Sequence, residues 1–239
     1  MAYASNRGAA FGLRRGLHAW YSSMPRIPYT VSVGARAQSV PVEEFAAKVA
    51  AVLRDPRGWR KYGYRFYQVA APCDTALHIH LEAADDADRL CRARGFSCWR
   101  PPSNDIVIHL GNWMGGSASR LPLDRYRNYV INHEVGHSLG LPHRKCPAAE
   151  CARRGVTSCP ASVMQQMTRG PGHVSPCIEA DWPLDPDWGT DDPRPRAKVF
   201  PGISLLLVIF AVIIVLVACL VAAVRVAPAA GRGCRGAAK

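Results

Sequence analysis

Three histidines near the middle of the chain have the spacing of metal ligands. They lie, with one glutamate, in the segment His133-Glu134-Val135-Gly136-His137-Ser138-Leu139-Gly140-Leu141-Pro142-His143. On a helix, residues four apart share a face, so His133 and His137 would project their imidazoles toward one point. Because neutral imidazoles are good ligands for Zn²⁺, this spacing predicts one zinc ion per chain.

The residues around this pair indicate a catalytic site rather than a structural one. Glu134 is expected to stand beside the metal, where its carboxylate can take a proton from a bound water. Gly140 tolerates positive φ and lets the chain turn sharply out of the helix. That turn would bring His143 round as a third ligand and leave the fourth position open, as catalytic zinc sites require.

This segment resembles the HExxHxxGxxH signature of the metzincin zinc metallopeptidases, and its residues are most similar to those of the matrix metalloproteinase type. Metzincins carry a methionine turn beneath the metal. Ser162-Val163-Met164 resembles that turn, and Met167 is a rival candidate. The resemblance implies an α+β fold, a metzincin-like mixed sheet with two long helices, and a zinc-dependent endopeptidase whose partner is a peptide or protein substrate.

A wider resemblance runs from about Tyr29 to Trp182. Over this range the chain is similar to a family of uncharacterised actinobacterial exported or membrane-attached proteins with a metallopeptidase-like domain of unknown function. The residues that carry it are the run Tyr129-Val130-Ile131-Asn132-His133-Glu134-Val135-Gly136-His137, the strand-like Ile106-Val107-Ile108, the pair Cys91 and Cys98, and the run Val163-Met164-Gln165-Gln166.

Two other functions remain open from the sequence. One is a non-catalytic membrane-anchored binding module that keeps zinc as a structural plug. The other is an amidase that acts on cell-wall peptides. Glu134 argues against the plug, because a purely structural site needs no base beside it. The sequence does not separate protein substrates from cell-wall peptides.

Hydrophobic periodicity predicts the elements that must position these residues. Strands are expected over 29–33, 64–70, 76–83 and 103–110, and helices over 42–59, 85–91 and 124–139. Asp124 is the expected N-cap of the last helix, which carries the metal ligands, and Gly140 ends it.

The strand over 103–110 is the candidate edge strand of the substrate cleft, by its order along the chain. An extended peptide could pair with it, near Ile106 and Ile108, through backbone hydrogen bonds. Trp113 either walls a side-chain pocket or belongs to the core. The histidines on strand-like segments, His78, His80 and His109, are expected to be surface or hydrogen-bonded core residues rather than ligands.

Nine cysteines indicate an oxidising compartment, since cytosolic enzymes rarely carry so many. Six of them are disulfide candidates: Cys91, Cys98, Cys146, Cys151, Cys159 and Cys177. The last four lack the CxxC spacing of a zinc knuckle. Cys91 and Cys98 would close a small loop, and the other four would staple the loops around the methionine turn.

The chain is expected to have five parts. These are a basic arm (1–27), the metallopeptidase domain (28–182), a Pro/Asp-rich linker (183–198), a transmembrane helix (199–225) and a short basic tail (226–239). Residues 203–224 carry no charge and would span the roughly 30 Å hydrocarbon core as a helix. This predicts a single-pass protein of the cell membrane.

The charge distribution argues against a nucleic-acid partner. The net charge is 30 − 18 = +12, but residues 1–42 and 225–239 contribute nine of these charges, so the middle is nearly balanced. The cysteine count favours a catalytic domain outside the cytoplasm. Residues 1–27 show no standard signal peptide, and this absence favours instead a cytosolic domain held by a C-terminal tail anchor. The sequence leaves the oligomeric state open.

Overall fold

Five short strands form one mixed sheet in the computed structural model, which describes residues 25–185 and 191–193. In chain order the strands are β1 Arg26–Val33, β2 Arg65–Gln68, β3 Leu77–Glu82, β4 Cys98–Arg100 and β5 Asp105–His109. The sheet order is β2-β1-β3-β5-β4, and within this sheet only β4 runs antiparallel to its neighbour. The expectation of a mixed sheet combined with helices is confirmed.

The described helices connect and cover these strands. They are α1 Val42–Arg54, α2 Ala84–Cys91, α3 Leu110–Gly115, α4 Leu123–Ser138 and α5 Ala148–Arg153. Shorter 3₁₀ turns cover Trp59–Tyr62, Met167–Arg169 and Pro171–His173. The two longest, α1 and α4, are the two long helices that the sequence predicts.

Two helix boundaries differ from the prediction because of prolines. The first long helix ends at Arg54 rather than Trp59, since Asp55 precedes Pro56 and is held in the extended region at ψ 131°. The second starts one residue earlier than expected, after Pro122. Asp124 therefore lies in the first turn, where its charge favours the helix dipole, and is not the N-cap.

The core lies between one face of the sheet and the two long helices. Phe45, Val49 and Val52 of α1 are buried at the helical spacing that the sequence shows. Trp113 is 1% exposed and packs edge-on against Phe45, with ring centroids 4.9 Å apart. Trp113 is therefore a core residue, which is one of the two roles that the sequence left open for it.

Strand β5 lies inside the sheet and is not an edge strand. It pairs with β3 on one side and with β4 on the other. Its residues Ile106 and Ile108 are 0% and 1% exposed, so the prediction that they contact substrate is wrong. The cause is β4, which occupies the predicted edge and has only three residues, too few for a hydrophobic period to reveal it.

All six candidate cysteines form disulfides. The pairs are Cys91–Cys98, Cys146–Cys177 and Cys151–Cys159. The first joins the end of α2 to the start of β4, and the other two tie together the loops that follow α4. Three sulfurs of the last four cysteines lie close enough to hold a metal, but their disulfide bonds leave no thiolate to bind one.

The start of the predicted linker is packed into the domain. Leu184 is buried, and its carbonyl accepts a hydrogen bond from the hydroxyl of Tyr62. Asp191 is fully buried. The predicted transmembrane segment 203–224, the basic tail and residues 1–24 of the basic arm lie outside the described residues. Within the described ranges, no helix is long and apolar enough to cross a membrane.

Candidate metal centre

Helix α4 and the chain just after it bring three imidazoles to one point. The Nε2 atom of His137 lies 3.2 Å from that of His133 and 3.2 Å from that of His143. All three ligand atoms lie within 4.8 Å of one another. Two nitrogens bound to one tetrahedral zinc at 2.0–2.1 Å stand about 3.3 Å apart, so these separations suit a shared ion better than hydrogen bonds between the rings.

Backbone carbonyls fix the protonation of two of these rings. The Nδ1 atom of His133 donates to the carbonyl of Val163 at 2.8 Å, and that of His137 donates to Leu141 at 2.8 Å. Since a carbonyl only accepts, each Nδ1 carries the proton and each Nε2 keeps its lone pair. Burial, with the neighbouring His137, lowers the pKa of His133 to about 3, so this ring is neutral and able to bind a metal.

A glycine turn delivers the third imidazole. Gly140 has φ of +87°, a conformation in the left-handed region that favours glycine. The amide of Leu141 donates back to the carbonyl of Gly136 at 3.0 Å, which closes the end of α4. His143 follows on the far side of this turn and is exposed, whereas His133 is buried. The centre therefore opens to solvent on the side of His143.

Glu134 has a buried carboxylate, and at least one of its oxygens lacks a hydrogen-bond partner within the described part of the chain. It is 4% exposed, and the backbone amide of Trp99 acts to lower the pKa of its carboxyl, against the larger effect of burial. Its Oε2 atom has no hydrogen-bond partner among the described residues. Burial raises the pKa of this carboxyl to about 8. A buried acceptor without a partner costs free energy unless a cation or a water fills it, so Glu134 fits the presence of a metal ion and its water.

Met164 lies directly beneath α4. A Cβ atom added to Gly136 would stand 2.3 Å from the Met164 sulfur and 2.8 Å from Trp59, so only glycine permits this approach. Met164 is thus the methionine that packs against the helix beside the ligands. Met167 is also buried, and its amide donates to the hydroxyl of Tyr129 at 3.0 Å.

Asp191 anchors the turn 162–164 and was missed by sequence analysis. Its carboxylate accepts from the hydroxyl of Ser162, from the amide of Val163 at 3.2 Å and from the amide of Leu184 at 2.9 Å. Burial raises the pKa of this carboxyl. Nothing in the local sequence distinguishes this aspartate from the others of the predicted linker.

A cleft of about 340 Å³ opens over the centre. Its lining comprises Ala93, Phe96, Ser97, Cys98, Trp99, Pro101, Tyr129, His133, Glu134, His137, His143, Gln166, Thr168 and Arg169. One wall is the loop closed by the first disulfide, and the other is the chain that follows the turn 162–164. Of these residues, sequence analysis found only the three histidines and the glutamate as site residues.

The remaining predicted residues lie elsewhere. Ile106, Ile108 and Trp113 do not line this cleft. His78 is 3.0 Å from the hydroxyl of Thr30, and His80 is 2.6 Å from that of Ser32. His109 accepts from the amide of Asn112 at 3.3 Å. The prediction that these histidines are surface or hydrogen-bonded residues rather than ligands agrees with these contacts.

Comparison with known proteins identifies one family. A family model described as "Protein of unknown function (DUF3152)" matches residues 26–183, about two thirds of the chain. The match covers every element of the sheet, the three histidines and the turn 162–164. The chain has no significant match among curated proteins or among solved structures. It therefore belongs to the DUF3152 family of proteins of unknown function.

Proposed function

We propose that the chain is a zinc-dependent endopeptidase of the metzincin type. One observation carries this proposal: three imidazole Nε2 atoms converge at one point beside a buried carboxylate oxygen without a partner. A structural zinc site is normally closed by four protein ligands. Here three nitrogens converge, and the carboxylate stands next to them in an open cleft, which is the arrangement of a hydrolytic site.

His133, His137 and His143 would hold the ion. Their nitrogens suit zinc in type and number, and two of them are oriented by hydrogen bonds to carbonyls, as zinc-binding histidines usually are. When bound, zinc supplies Lewis acidity, which makes water a nucleophile near neutral pH and polarises the carbonyl of a peptide bond.

Glu134 would act as the general base and acid. Its Oε2 atom has no partner among the described residues, so it is free to accept a proton from water in the cleft. The same group then gives that proton to the leaving amine. Its pKa of about 8 without a metal would fall once a cation stands beside it, which favours the ionised base.

Strand β4 supports binding of an extended peptide. It pairs with β5 on one side, and no described strand pairs with its other side. Trp99 belongs to this strand and also lines the cleft, so the unpaired edge runs along the centre. A substrate backbone laid beside β4 would gain hydrogen bonds without regard to its side chains.

The first experiment measures zinc content and peptide hydrolysis on the full chain and on single variants. We expect one zinc per chain in the unchanged protein and in Glu134→Gln, and loss of zinc in His143→Ala. Glu134→Gln should lower hydrolysis by at least about 10²-fold, because the amide cannot take up the proton. His173→Ala is the matched control, since His173 is exposed in a loop outside the cleft.

Denatured protein and peptidoglycan peptides should be offered side by side as substrates. Cleavage of the second alone would identify an amidase of cell-wall peptides. Stoichiometric zinc without cleavage of either, in the unchanged chain, would identify a non-catalytic binding module. A folded protein that takes up no zinc would contradict the proposal altogether.

We further propose that the domain acts outside the cytoplasm and is anchored in the membrane by residues 203–224. Three disulfides in the described residues support the first part, since they persist only in an oxidising compartment. Protease treatment of intact cells should release the domain. A domain that stays protected until lysis and carries free thiols would contradict this topology.

A further inference from the structure

One arginine of the cleft has no acidic partner. Arg169 ends the 3₁₀ turn Met167–Arg169, lines the cleft and is exposed. Its guanidinium carbon lies 4.9 Å from the centroid of the Phe96 ring, on the opposite wall. Within the described part of the chain, no carboxylate lies at salt-bridge distance from it, whereas Arg125 bonds to Asp181 at 2.7 Å.

The position of this guanidinium places positive charge next to the metal ligands. Arg169 lines the same cleft as His133, His137 and His143. Among the residues that line the cleft it is the only arginine or lysine, and Glu134 is the only acid. Glu134 does not lie at salt-bridge distance from Arg169, so no acid that lines the cleft pairs with this guanidinium, and a bound zinc would add further positive charge.

The Phe96 ring lies close enough to the guanidinium for a cation–π contact. Such a contact restricts where the guanidinium lies and leaves its N–H donors available to another partner. Those donors match the two oxygens of a carboxylate in a bidentate pair. The Cys91–Cys98 disulfide closes the loop that carries Phe96, so the support for Arg169 is itself tied down.

We infer that Arg169 is a specificity-determining residue that binds a carboxylate of the substrate close to the scissile bond. This inference rests on the proposed endopeptidase and names its substrate class: peptides with an acidic group beside the cleaved bond. Two sources supply this chemistry, the side chain of Asp or Glu and the free carboxylate of a peptide C-terminus. A preference for the second would make the enzyme a carboxypeptidase rather than an endopeptidase.

The test compares matched peptides on the zinc-loaded full chain. One pair differs only by Glu or Gln next to the cleaved bond, and a second pair only by a free or amidated C-terminus. We expect kcat/KM to favour the carboxylate member of one pair by about 10- to 100-fold, the range for a charge-assisted hydrogen-bonded pair. The pair that shows the preference identifies the source of the carboxylate.

Substitutions at Arg169 should change this preference and not merely the rate. Arg169→Lys keeps the charge but not the bidentate geometry, so it should retain part of the preference. Arg169→Glu should reverse it toward a peptide with Lys in place of Glu. Arg94→Gln, an exposed arginine of the same disulfide-closed loop that does not line the cleft, is the control for general charge and should keep the full preference.

A binding measurement separates failure of this inference from failure of the proposed function. Glu134→Gln, loaded with zinc, should bind the fluorescently labelled carboxylate peptide about 10-fold or more tightly than its neutral partner. The double variant with Arg169→Glu should lose this difference. Binding or cleavage without a carboxylate preference, or a preference that survives Arg169→Glu, would overturn the inference. Binding with the preference but no cleavage by the unchanged chain would overturn only the proposed function.

Discussion

Two carbonyl oxygens hold two imidazoles of the centre, those of His133 and His137, in place. The one that accepts from His133 belongs to Val163, in the turn that also carries Met164. Partners of this kind orient ligands, and their loss typically costs 10- to 100-fold in metal affinity. The affinity of the proposed zinc site should therefore depend on how closely the turn 162–164 packs against α4.

Gly136→Ala tests this packing. Alanine is the better helix former by about 1 kcal/mol, but its Cβ would stand 2.3 Å from the sulfur of Met164. Because the ring of Trp59 crowds the same position, we expect a net loss of about 1–3 kcal/mol in unfolding free energy and weaker zinc binding. Denaturant unfolding and zinc titration measure the two effects.

Gly115→Ala is the control for this substitution. Gly115 lies in α3, and a Cβ there would meet nothing within 4 Å. It should leave both stability and zinc affinity unchanged or slightly raised. Equal behaviour of the two variants would show that the turn does not press against α4 at Gly136.

Asp191→Asn should destabilise the turn by about 1–3 kcal/mol, because the new amide group would face N–H and O–H donors that now have an acceptor. Burial raises the pKa of Asp191, so between its unfolded and folded pKa values the folded state holds the extra proton. The aspartate's contribution to stability therefore falls as pH rises through that interval. Unfolding measured near pH 4 and pH 7 should show the larger loss at pH 4.

At the scale of elements, the cleft has one wall that a disulfide closes. The Cys91–Cys98 bond closes the loop that contains Phe96 and joins it to β4, whose Trp99 also lines the cleft. A second disulfide, Cys151–Cys159, closes a loop of nearly the same length away from this wall, with a separation of 8 residues against 7. The two disulfides thus lie in different parts of the domain, but they lower the conformational entropy of the unfolded chain by nearly the same amount.

Replacing each pair of cysteines by serine should separate stability from substrate binding. By the loop-entropy relation each change should cost about 2.5 kcal/mol of unfolding free energy. We expect only the Cys91/Cys98 variant to weaken peptide binding to zinc-loaded Glu134→Gln protein as well. An equal loss of peptide affinity in the Cys151/Cys159 variant would show that the first loop does not shape the cleft.

Sequence analysis predicted those parts of the site that depend on local spacing. His133 and His137 share a face of one helix, and His143 follows a glycine turn, so the convergence of these proposed ligands follows from helical geometry. Strand β4 was missed because three residues show no period. Asp191 and Arg169 were missed because their roles depend on contacts between segments far apart in the chain, which no local pattern records.

At the scale of the whole molecule, metal binding and folding should be coupled. The three ligands lie on α4 and the loop after it, and α4 packs in the core with α1 and the sheet. Zinc that binds only the folded state stabilises it by about 2.7 kcal/mol at 100 times the dissociation constant. Removal of zinc by a chelator should therefore lower the melting temperature of the unchanged chain and of Glu134→Gln.

His143→Ala is the comparison for this prediction. Its melting temperature should respond little to zinc or to chelator, because one of three ligands is missing. His173→Ala should respond like the unchanged chain. An equal response in His143→Ala would place the stabilising ion somewhere other than the three imidazoles.

The bond network from Asp191 to His133 also sets an order of events during synthesis. The ribosome makes α4 with its histidines well before it makes Asp191, yet the carboxylate of Asp191 holds the amide of Val163, whose carbonyl orients His133. A growing chain thus contains the three histidines before it contains the carboxylate that supports one of them. The proposed zinc, bound in the final geometry, would mark a domain in which Asp191 is already in place, so its uptake would report completion of the fold rather than its beginning.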